Sequence, residues 1–424
     1  MSSIQRTKKL ALVDCNSFYV SCERLFNPRI RKKPVVVLSN NDGCIISRSN
    51  EAKKLGIKMG EPVFKINKFM KENNVRVFSS NFELYGEISN RVMKSLNKFS
   101  NDLEIYSIDE AFMSIKYSSD YSIIAKEIIS NIKTNVGIPV SVGVSKTKTL
   151  AKVASSIAKN IDQNYSILKN ELKIFQSLRN LPVNEIWGIG YRYSKFLNKN
   201  KIFTAIDLVN RNKKWILGNM NINVLKTTQE LRGVECFPII NVPPSKKSIT
   251  VSRSFREDIF NYSDLERRVN DYAFRSSKKL REEKLRAYTL SVFIVTNRFK
   301  NNNKSYYYGF LSENFLAATN NYIDIVSMSN KILKKIFRRN LGYKKAGVIL
   351  SSLSDISEYQ SSYLKLHSKA QDSLMNSIDH INKTFGSNMV KLASQNFHDL
   401  SNDSRKKLSK KYMSSWKDLM DINI

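Results

Sequence analysis

Adjacent acidic residues inside an apolar, strand-like run are the feature that most constrains the fold of this chain. Residues 106–112 read Tyr-Ser-Ile-Asp-Glu-Ala-Phe, and an earlier apolar run, residues 10–15, carries a lone Asp14. Burying an ionised carboxylate is costly unless a cation or a hydrogen-bond donor compensates its charge. Asp14, Asp109 and Glu110 at the ends of two strands therefore indicate a site for hard divalent cations, which take oxygen ligands. Such a site is typical of metal-assisted phosphoryl or nucleotidyl transfer.

The order of the predicted elements brings these acids together. The pattern predicts a strand at 10–15, a helix at 83–99, strands at 103–108 and 111–115, a helix at 121–136 and a strand at 139–144. This is the βαββαβ order of ferredoxin-like domains. Because the first and third strands of that fold are antiparallel neighbours, Asp14 should lie beside Asp109 and Glu110. The alternative is that Asp109 and Glu110 form an ordinary solvated hairpin turn.

Two further regions adjoin the predicted ferredoxin-like domain. Residues 16–78 form an insertion with an Asn-Asp-Gly turn at 41–43, and this insertion reads as a small lid next to the acids. Residues 172–236 read as helical and contain Trp-Gly-Ile-Gly at 187–190. A Gly-x-Gly between two helices exposes backbone N–H groups that can hold a phosphate, so we expect a helix-hairpin-helix here.

A second α+β module follows a proline-interrupted basic linker at residues 242–247. Residues 275–300 read as the strongly basic helix before its second strand, so one face of the module should follow phosphates. The polar remainder, from about 354 to 424, shows no independent core. The strands of the module are predicted at 248–255, 288–296 and 345–350.

The net charge predicts a polyanionic partner. The chain has 70 Lys and Arg against 37 Asp and Glu, a formal net charge of +33. This excess favours nucleic-acid binding, although an AT-rich genome can also raise the lysine content. In a helix predicted at 146–159, Lys148, Lys152 and Lys159 share one face. We expect that face to contact phosphates, and a simple solvated helix face is the alternative.

Cysteines, histidines and hydropathy exclude other classes of protein. The four cysteines form no Cys-x-x-Cys pair and the three histidines lie late in the chain, so neither a zinc site nor a disulfide framework is expected. The first residues lack the apolar run of a signal peptide, and no stretch of about 18 apolar residues could span a bilayer. We expect a cytoplasmic protein of a reducing compartment, without a membrane partner.

At these motifs the chain resembles a known family. Asp14-x-Asn16-x-Phe18-Tyr19, the run at 106–110, the basic helix and the Trp-Gly-Ile-Gly turn are similar to motifs of the Y-family, or translesion, DNA polymerases. The runs at 39–44, 51–53 and 78–85 are similar to the UmuC branch, the catalytic subunit of bacterial DNA polymerase V. The similarity covers residues 9–350 and reappears at 408–419.

The resemblance implies an α+β multidomain, right-hand polymerase. Its activity would be error-prone, template-directed nucleotidyl transfer from dNTPs to a primer 3′-hydroxyl, in DNA damage tolerance and SOS mutagenesis. The implied parts are a ferredoxin-like βαββαβ palm (1–15 and 78–170), inserted fingers (16–77), a helical thumb with a helix-hairpin-helix (171–240), an α+β little finger (241–355) and a C-terminal partner-binding tail (356–424).

The resemblance also assigns roles to single residues. Two Mg²⁺ ions would act, one lowering the pKa of the primer 3′-hydroxyl and the other neutralising the pyrophosphate leaving group. Tyr19 would be a steric gate that excludes a ribose 2′-hydroxyl, with Phe18 packed beneath it. Lys53 and Lys159 would bind the triphosphate beside Asn50, whereas many relatives outside the UmuC branch pair a Tyr with an Arg at the positions of Asn50 and Lys53. The implied metal ligands are Asp14, Asp109, Glu110 and the backbone carbonyl of Cys15.

Contacts to primer–template DNA are expected from cations and from the glycine turn. The implied protein partners are a UmuD-type accessory dimer, a recombinase filament and the sliding clamp. Residues 360–366 are a degenerate clamp-binding candidate, and an ordinary polar tail is the alternative. Two other classes stay open: a nucleotide cyclase, and a catalytically weak DNA-binding accessory subunit of a lesion-bypass complex. The expected DNA contacts are Lys148, Lys152, Gly188, Gly190, Lys246, Lys247, Arg253, Arg275 and Lys278.

Overall fold

Two units share the chain, and the first is interrupted by the second. The computed structural model describes residues 9–115, 120–298, 306–358, 369–386, 389–391, 393, 405, 407–413 and 415–418. Unit 1 comprises Met1–Pro243 and Lys407–Ile424, and unit 2 comprises Pro244–Lys406. Among the residues described, no helix is long and apolar enough to cross a membrane.

Unit 1 contains the predicted ferredoxin-like sheet. The strands of unit 1 are β1 (Lys9–Cys15), β2 (Val35–Leu38), β3 (Ile45–Arg48), β4 (Arg76–Ser79), β5 (Leu103–Ile105), β6 (Glu110–Ile115), β7 (Val140–Ser145) and β8 (Tyr165–Ile167). Its helices are α1 (Phe18–Phe26), α2 (Asn50–Lys54), α3 (Val63–Glu72), α4 (Phe82–Leu96), α5 (Tyr121–Asn135), α6 (Lys148–Ala158), α7 (Glu171–Asn180), α8 (Tyr191–Lys199), α9 (Ala205–Val209), α10 (Lys213–Asn219) and α11 (Ile222–Leu231).

The main sheet has the order β5-β6-β1-β7-β8, with β1 antiparallel to both β6 and β7. Successive side chains of a strand point to opposite faces. Val13 and Cys15 accordingly join the core formed with α4 and α5, whereas Leu12 and Phe112 pack against Ala151 of α6 on the other face. With both faces covered, β1 is apolar at nearly every position, and the predicted βαββαβ arrangement is confirmed.

Three elements of unit 1, one strand and two helices, are shorter than predicted. The predicted strand 103–108 ends at Ile105, because the amides of Tyr106 and Ser107 both donate to the Glu110 carbonyl in a tight turn. The predicted helix 83–99 ends at Leu96. The basic helix begins at Lys148 rather than at 146, because the Thr147 side chain caps it by accepting from the Leu150 amide.

The insertion folds around a small core of its own. Its strands have the order β3-β2-β4, with β2 and β4 parallel. Val36, Ile45 and Met70 belong to its apolar cluster. The helix α1, which the sequence analysis assigned to the insertion, instead contributes Phe18 and Val20 to the core of the main sheet.

The helices α7 to α11 share a third core with α6. Leu150 and Val153 of α6 pack in the same apolar cluster as Leu197 and Leu225. Glu230 of α11 is fully buried, and its carboxylate accepts hydrogen bonds from the amide (2.8 Å) and the hydroxyl (2.7 Å) of Thr149. A buried carboxylate that is satisfied in this way fixes α11 against the start of α6.

Unit 2 is an α+β module, as predicted, but its details differ from the prediction. Its elements are β9 (Ser248–Ile259), α12 (Tyr262–Glu282), β10 (Leu285–Thr296), β11 (Tyr308–Thr319), α13 (Tyr322–Ile336), β12 (Tyr343–Asp355) and α14 (Lys369–Thr384). The sheet order is β11-β10-β12-β9. The sequence analysis missed β11, and it extended the basic helix over 275–300, across the strand that it also predicted at 288–296. The chain instead turns at Lys284, with φ +55°, and continues as β10.

The C-terminal region belongs to both units rather than to a separate tail. Met375 and Ile378 of α14 are buried in the core of unit 2. Arg281 binds Asp379 of α14 through two hydrogen bonds, and Arg286 binds Asp372 at 3.3 Å. Residues 407–413 lie against unit 1 instead, with Tyr412 and Met413 packed on the core of the main sheet. The clamp-binding candidate at 360–366 lies outside the described residues.

A substitution at Gly143 tests the fit between β7 and α6. A Cβ on Gly143 would overlap the backbone of Ala151 and Ser155, whereas a Cβ on Gly86 of α4 meets no heavy atom within 4 Å. Overpacking against backbone that cannot move costs about 1–3 kcal/mol or more. Gly86→Ala should be neutral or stabilise by about 0.5 kcal/mol. Thermal unfolding of both variants measures this, and an unchanged midpoint for Gly143→Ala would show that α6 does not rest on β7.

Candidate active site

The three acidic residues of the sequence analysis converge at one end of the main sheet. Asp14 of β1 is the direct cross-strand partner of Glu110 of β6. The Cys15 amide donates to the Asp109 carbonyl at 2.8 Å. Asp14 and Glu110 alternate with the core residues of their strands and therefore lie on the face that α6 covers. The predicted convergence of the acids is confirmed.

A short turn holds Asp109 and Glu110 in place. The Ser107 hydroxyl donates to the Asp109 carboxylate at 2.6 Å. The same oxygen accepts from the amides of Asp109 (3.3 Å) and Glu110 (3.2 Å). This turn replaces the last residues of the predicted strand, and it keeps the acids rigid at the strand start.

Lysines of the basic helix neutralise two of the carboxylates. Lys159 Nζ lies 2.7 Å from an oxygen of Asp14, and Lys152 Nζ lies 2.9 and 3.0 Å from the two oxygens of Glu110. Burial raises the pKa of Asp14 above its ordinary value; the charge of Lys159 opposes this shift, and the charges of Glu110 and Asp109 reinforce it. Both lysines therefore sit within reach of whatever the carboxylates bind.

Lys148 has a different role from the one predicted. Its side chain is 3% exposed, and its ammonium group binds Glu104 and the backbone carbonyl of Pro238. A buried ammonium with two partners is not available to a DNA phosphate. Lys148 therefore ties α6 to β5 and to the segment after α11, and its predicted DNA contact is corrected.

The donor set at the sheet end suits a hard cation, although the carboxylates are engaged by lysines. Among the described residues, no group of three His, Cys, Asp or Glu side chains is arranged to hold a metal ion as it stands. Asp14 and Glu110 are instead paired with Lys159 and Lys152. Carboxylate and backbone carbonyl oxygens are the ligands that Mg²⁺ takes. The chemistry of the residues fits such an ion once the lysines release the carboxylates.

Tyr19 stands beside the acids on the first turn of α1. Its ring stacks on Tyr85 of α4, with centroids 4.6 Å apart and planes at 18°, and meets Phe82 edge-on at 5.8 Å. Phe18 is buried, with its ring 5.8 Å from that of Tyr19. Burial raises the pKa of the Tyr19 hydroxyl, and the charge of Asp109 adds to the shift, which locates this hydroxyl near the acidic site. The Tyr85 hydroxyl donates to buried Glu23 at 2.6 Å.

The insertion contributes cations to the same region. Lys53 Nζ donates to Asn50 Oδ1 at 3.1 Å, so these two predicted residues act as a pair. Burial lowers the pKa of Lys53, with further lowering by Arg48 and Lys159 and an opposing effect of Asp14. Lys53 therefore lies within electrostatic range of Lys159 and Asp14. The sequence analysis missed Arg48, the last residue of β3. A single positively charged residue at the end of an apolar strand is a weak indication of a binding site.

Aromatic rings surround Lys152, and the sequence analysis missed this arrangement as well. Lys152 Nζ lies 4.6 Å from the ring centroid of Tyr106 and 5.3 Å from that of Trp187. The Trp187 indole N–H donates to the Tyr106 hydroxyl at 3.2 Å. Such cation–π contacts hold a lysine in place without neutralising its charge. The glycine turn is thereby connected to the acidic site through Trp187.

The glycines of that turn occupy the expected positions. Gly188 has φ +88°, a conformation that favours glycine. Gly190 is the residue before α8, and a Cβ there would meet no heavy atom within 4 Å. The short hairpin from α7 to α8 therefore presents an open helix start, and phosphate binding at this turn stays a prediction.

The remaining predicted DNA contacts lie on unit 2. Lys246 pairs with Glu283, Arg275 with Asp271 at 3.3 Å, and Lys278 with Glu282 at 3.9 Å. Lys247 and Arg253 are exposed. Although Arg253 is exposed overall, partial burial of its guanidinium group lowers its pKa, and the neighbouring charge of Arg275 adds to this effect. Arg253 and Arg275 thus form one basic patch, and contact of these five residues with DNA stays a prediction.

Known proteins resemble the chain over most of its length. Models of the impB/mucB/samB family and of its C-terminal domain match residues 13–156 and 246–363, and a domain of unknown function (DUF4113) matches 372–422. Protein UmuC of Salmonella typhimurium is 37% identical over 97% of this chain and 99% of that protein. Protein SamB of Salmonella typhimurium is 37% identical over 96% of this chain and 98% of that protein.

Solved structures share the fold. A Y-family DNA polymerase chimera of Dbh and Dpo4 superposes with a TM-score of 0.67, covering 82% of this chain and 99% of that chain. The two sequences are 20% identical. The likeness therefore concerns the fold alone, and it agrees with the predicted multidomain α+β architecture.

The buried carboxyl behind Tyr19 predicts a pH dependence of stability. Burial raises the pKa of Glu23 to about 7, while hydrogen bonds from Tyr85 and Ser409 act in the opposite direction. The unfolded carboxyl titrates near 4.5. The stabilisation is therefore complete below about pH 4.5 and is lost as the pH rises through about 7, a change of roughly 3 kcal/mol. Glu23→Gln should remove this part of the pH profile.

Urea unfolding of the full chain between pH 5 and pH 8 measures this effect. The exposed carboxyl Glu83 on α4 supplies the control, because Glu83→Gln should keep the wild-type profile. Among the described residues, burial raises the pKa values of Tyr85, Cys22 and Tyr412, and the charge of Glu23 also helps to raise them. A Glu23→Gln profile parallel to that of the wild type would contradict the assignment.

Proposed function

The chain belongs to the impB/mucB/samB family, the UmuC-type branch of the Y-family DNA polymerases, and we propose that it copies damaged template DNA by nucleotidyl transfer. One observation carries this proposal. Three acids at the end of the main sheet lie next to Tyr19, whose aromatic ring is suited to contact a sugar. Lys53 and Lys159, whose positive charges are suited to a triphosphate, lie near the same acids. Substrate and acidic site would thus meet at a single place in unit 1.

We propose that the acidic residues hold two Mg²⁺ ions. The ligands would be the carboxylates of Asp14, Asp109 and Glu110 and the backbone carbonyl of Cys15. When bound, the ions would supply the positive charge that acidifies the primer 3′-hydroxyl and stabilises the pyrophosphate. The raised pKa of Asp14, whose chief cause is burial, supports this role, because a nearby cation would relieve the cost of its charge.

Lysines would exchange partners when the substrate arrives. Lys159 has a side chain that is 42% exposed, so its ammonium group can leave Asp14 and turn to a phosphate. Lys53, held by Asn50 and flanked by Arg48, would meet the same triphosphate from the insertion. Lysine is a compact point charge rather than a bidentate fork, so this grip depends on charge more than on geometry.

Binding of primer–template DNA would be shared by the cations and the glycine turn. The net charge of +33 supports a large electrostatic contribution. Gly188 and Gly190 would offer backbone amides to a phosphate, and the patch of Arg253 and Arg275 would bind the duplex backbone. The corrected residue, Lys148, is left out of this set.

The cellular setting is also a proposal. The similarity to Protein UmuC supports a role in SOS mutagenesis with a UmuD-type accessory dimer, a recombinase filament and the sliding clamp. We propose the cytoplasm as the compartment, where a reducing environment would keep the four cysteines, which are unpaired, as thiols.

Substitution of Asp109 tests the catalytic role of the acids. Asp109→Asn keeps the size of the side chain and removes its charge, so primer extension with Mg²⁺ and dNTPs should fall by about a thousandfold or more. Affinity for primer–template DNA, measured by fluorescence anisotropy, should change little, because phosphate contacts supply it. Glu87→Gln, an exposed carboxyl of α4, serves as the control. If Asp109→Asn extends the primer at the wild-type rate, the metal site is excluded. If the wild-type chain binds DNA but does not extend a primer, the accessory-subunit alternative is favoured.

Substitution of Tyr19 tests its role as a steric gate. A ribose 2′-hydroxyl would need the space that the ring fills, and such clashes against packed groups cost about 1–3 kcal/mol. Tyr19→Ala should therefore weaken the preference for dNTPs over rNTPs by about tenfold to a hundredfold. Tyr19→Phe, which keeps the ring, should retain the preference. Equal slowing of both nucleotide types by Tyr19→Ala would mean that the ring only stabilises the fold.

A further inference from the structure

We propose that residues 407–413, which we call the C-terminal clasp, hold α1 and α4 in the arrangement that sets Tyr19 against the sugar of the incoming nucleotide. The clasp lies within the region that matches a domain of unknown function. The inference rests on the proposed function, because it concerns the selectivity of that same site. It gives this C-terminal segment a positioning role in unit 1.

The clasp first binds the chain that leads into α4. The Lys407 amide donates to the Ser79 hydroxyl oxygen at 3.0 Å, and the Ser79 amide donates to the Lys407 carbonyl at 2.9 Å. Asn81 Nδ2 donates to the Ser409 hydroxyl oxygen at 3.0 Å. The other side-chain atom of Asn81, Oδ1, caps α4 by accepting from the Leu84 amide at 3.3 Å. One residue thus connects the clasp to the start of α4.

The clasp then binds α1. The Ser409 hydroxyl donates to Glu23 Oε1 at 3.2 Å, and the same oxygen accepts from the Tyr85 hydroxyl at 2.6 Å. Glu23 and Tyr85 are 2% and 0% exposed, so neither has water as a substitute partner. Tyr412 stacks on Phe26 at the end of α1, with centroids 4.7 Å apart and planes at 4°. The clasp therefore bridges the two helices through Ser409 and covers the end of α1 with Tyr412.

These contacts lead directly to the Tyr19 ring. Glu23 follows Tyr19 by four residues on α1, so the two share one helix face. Asn81 caps α4, and its backbone carbonyl accepts from the Tyr85 amide at 3.0 Å. Tyr19 stacks on the ring of Tyr85, whose hydroxyl is fixed by Glu23. A chain of contacts consequently runs from Ser409 through Glu23 and Tyr85 to Tyr19. If Ser409 loses its bonds, the α1–α4 pair can relax and the Tyr19 ring loses its fixed position.

The test compares two neighbouring residues of the clasp in the full-length chain. Ser409→Ala removes the hydroxyl that bridges Asn81 and Glu23, whereas Lys410→Ala truncates an exposed side chain beside it. The preference for dNTPs over rNTPs is measured for both variants by single-nucleotide insertion. We expect Ser409→Ala to lower the preference by about two- to tenfold, the range that one hydrogen bond supports. Lys410→Ala should retain it.

Two additional variants separate positioning from general stability. Glu23→Gln keeps an oxygen that accepts from Tyr85 and Ser409 and should retain most of the preference, whereas Glu23→Leu removes the acceptor and should lower it as Ser409→Ala does. A purely structural role would slow both nucleotide types equally and leave the ratio unchanged. An unchanged ratio for both Ser409→Ala and Glu23→Leu would overturn the proposed positioning.

Hydrogen–deuterium exchange provides a readout that does not depend on polymerase activity. Ser409→Ala should accelerate amide exchange in α1 and α4 relative to the wild type and to Lys410→Ala. Exchange that stays at the wild-type rate would overturn the clasp itself. A wild-type chain that inserts no nucleotide would instead contradict the proposed function, while exchange would still decide whether the clasp holds the two helices.

Discussion

The pairing of β1 with β6 is the interaction on which the rest of unit 1 depends. It sets Asp14 opposite Glu110, and the neighbouring bond from the Cys15 amide to the Asp109 carbonyl adds the third acid. A shift of one residue in this register would turn the acids to the other face of the sheet, into the core with α4 and α5. Such a shift would remove Val13 from that core and bury the Asp14 carboxylate there without a compensating partner, and the cost of both changes opposes it. The acidic site is thus protected by the same packing that forms the core.

Helix α6 shows how one element can serve structure and chemistry together. It rests on Gly143, where the absence of a side chain lets the helix backbone approach β7 closely. That approach puts Lys152 and Lys159 within bonding distance of Glu110 and Asp14, while Lys148, one turn earlier, is buried against Glu104. The three lysines are the same residue type on one helix. Their different surroundings, and not their spacing, determine that one is structural and two face the site.

The C-terminal region changes the description of the domains. Its helix α14 completes the core of unit 2, and residues 407–413 return to unit 1. The polar composition of this region suggested a tail without a core, and its described residues form no core of their own. It contributes apolar and hydrogen-bonding side chains to cores that other segments build, so its short amphipathic stretch, with Met375 and Ile378 buried, does not show which core it joins.

Much of the fold followed from the sequence because it depends on local patterns. The apolar runs, their order and the glycine turn were sufficient to predict the βαββαβ sheet, the helix-hairpin-helix and the convergence of Asp14 with Asp109 and Glu110. Strand β11 was missed because apolar and polar residues do not alternate regularly along it, as the pattern of a half-buried strand requires. The boundary near residue 106 depends on two hydrogen bonds to the Glu110 carbonyl, and the boundary near residue 147 depends on one to the Thr147 side chain; a pattern of residue types specifies neither.

By itself, then, the sequence determined the elements, their order and the identity of the acids, because periodicity and strand adjacency are properties of the chain. The tertiary structure alone decided that Lys148 is buried, that Trp187 and Tyr106 enclose Lys152, and that Ser409 reaches Glu23. Each of these contacts joins residues far apart in the chain. Their partners are chosen by which surfaces the folded cores bring within a few ångströms, and that distance is not encoded in any one segment.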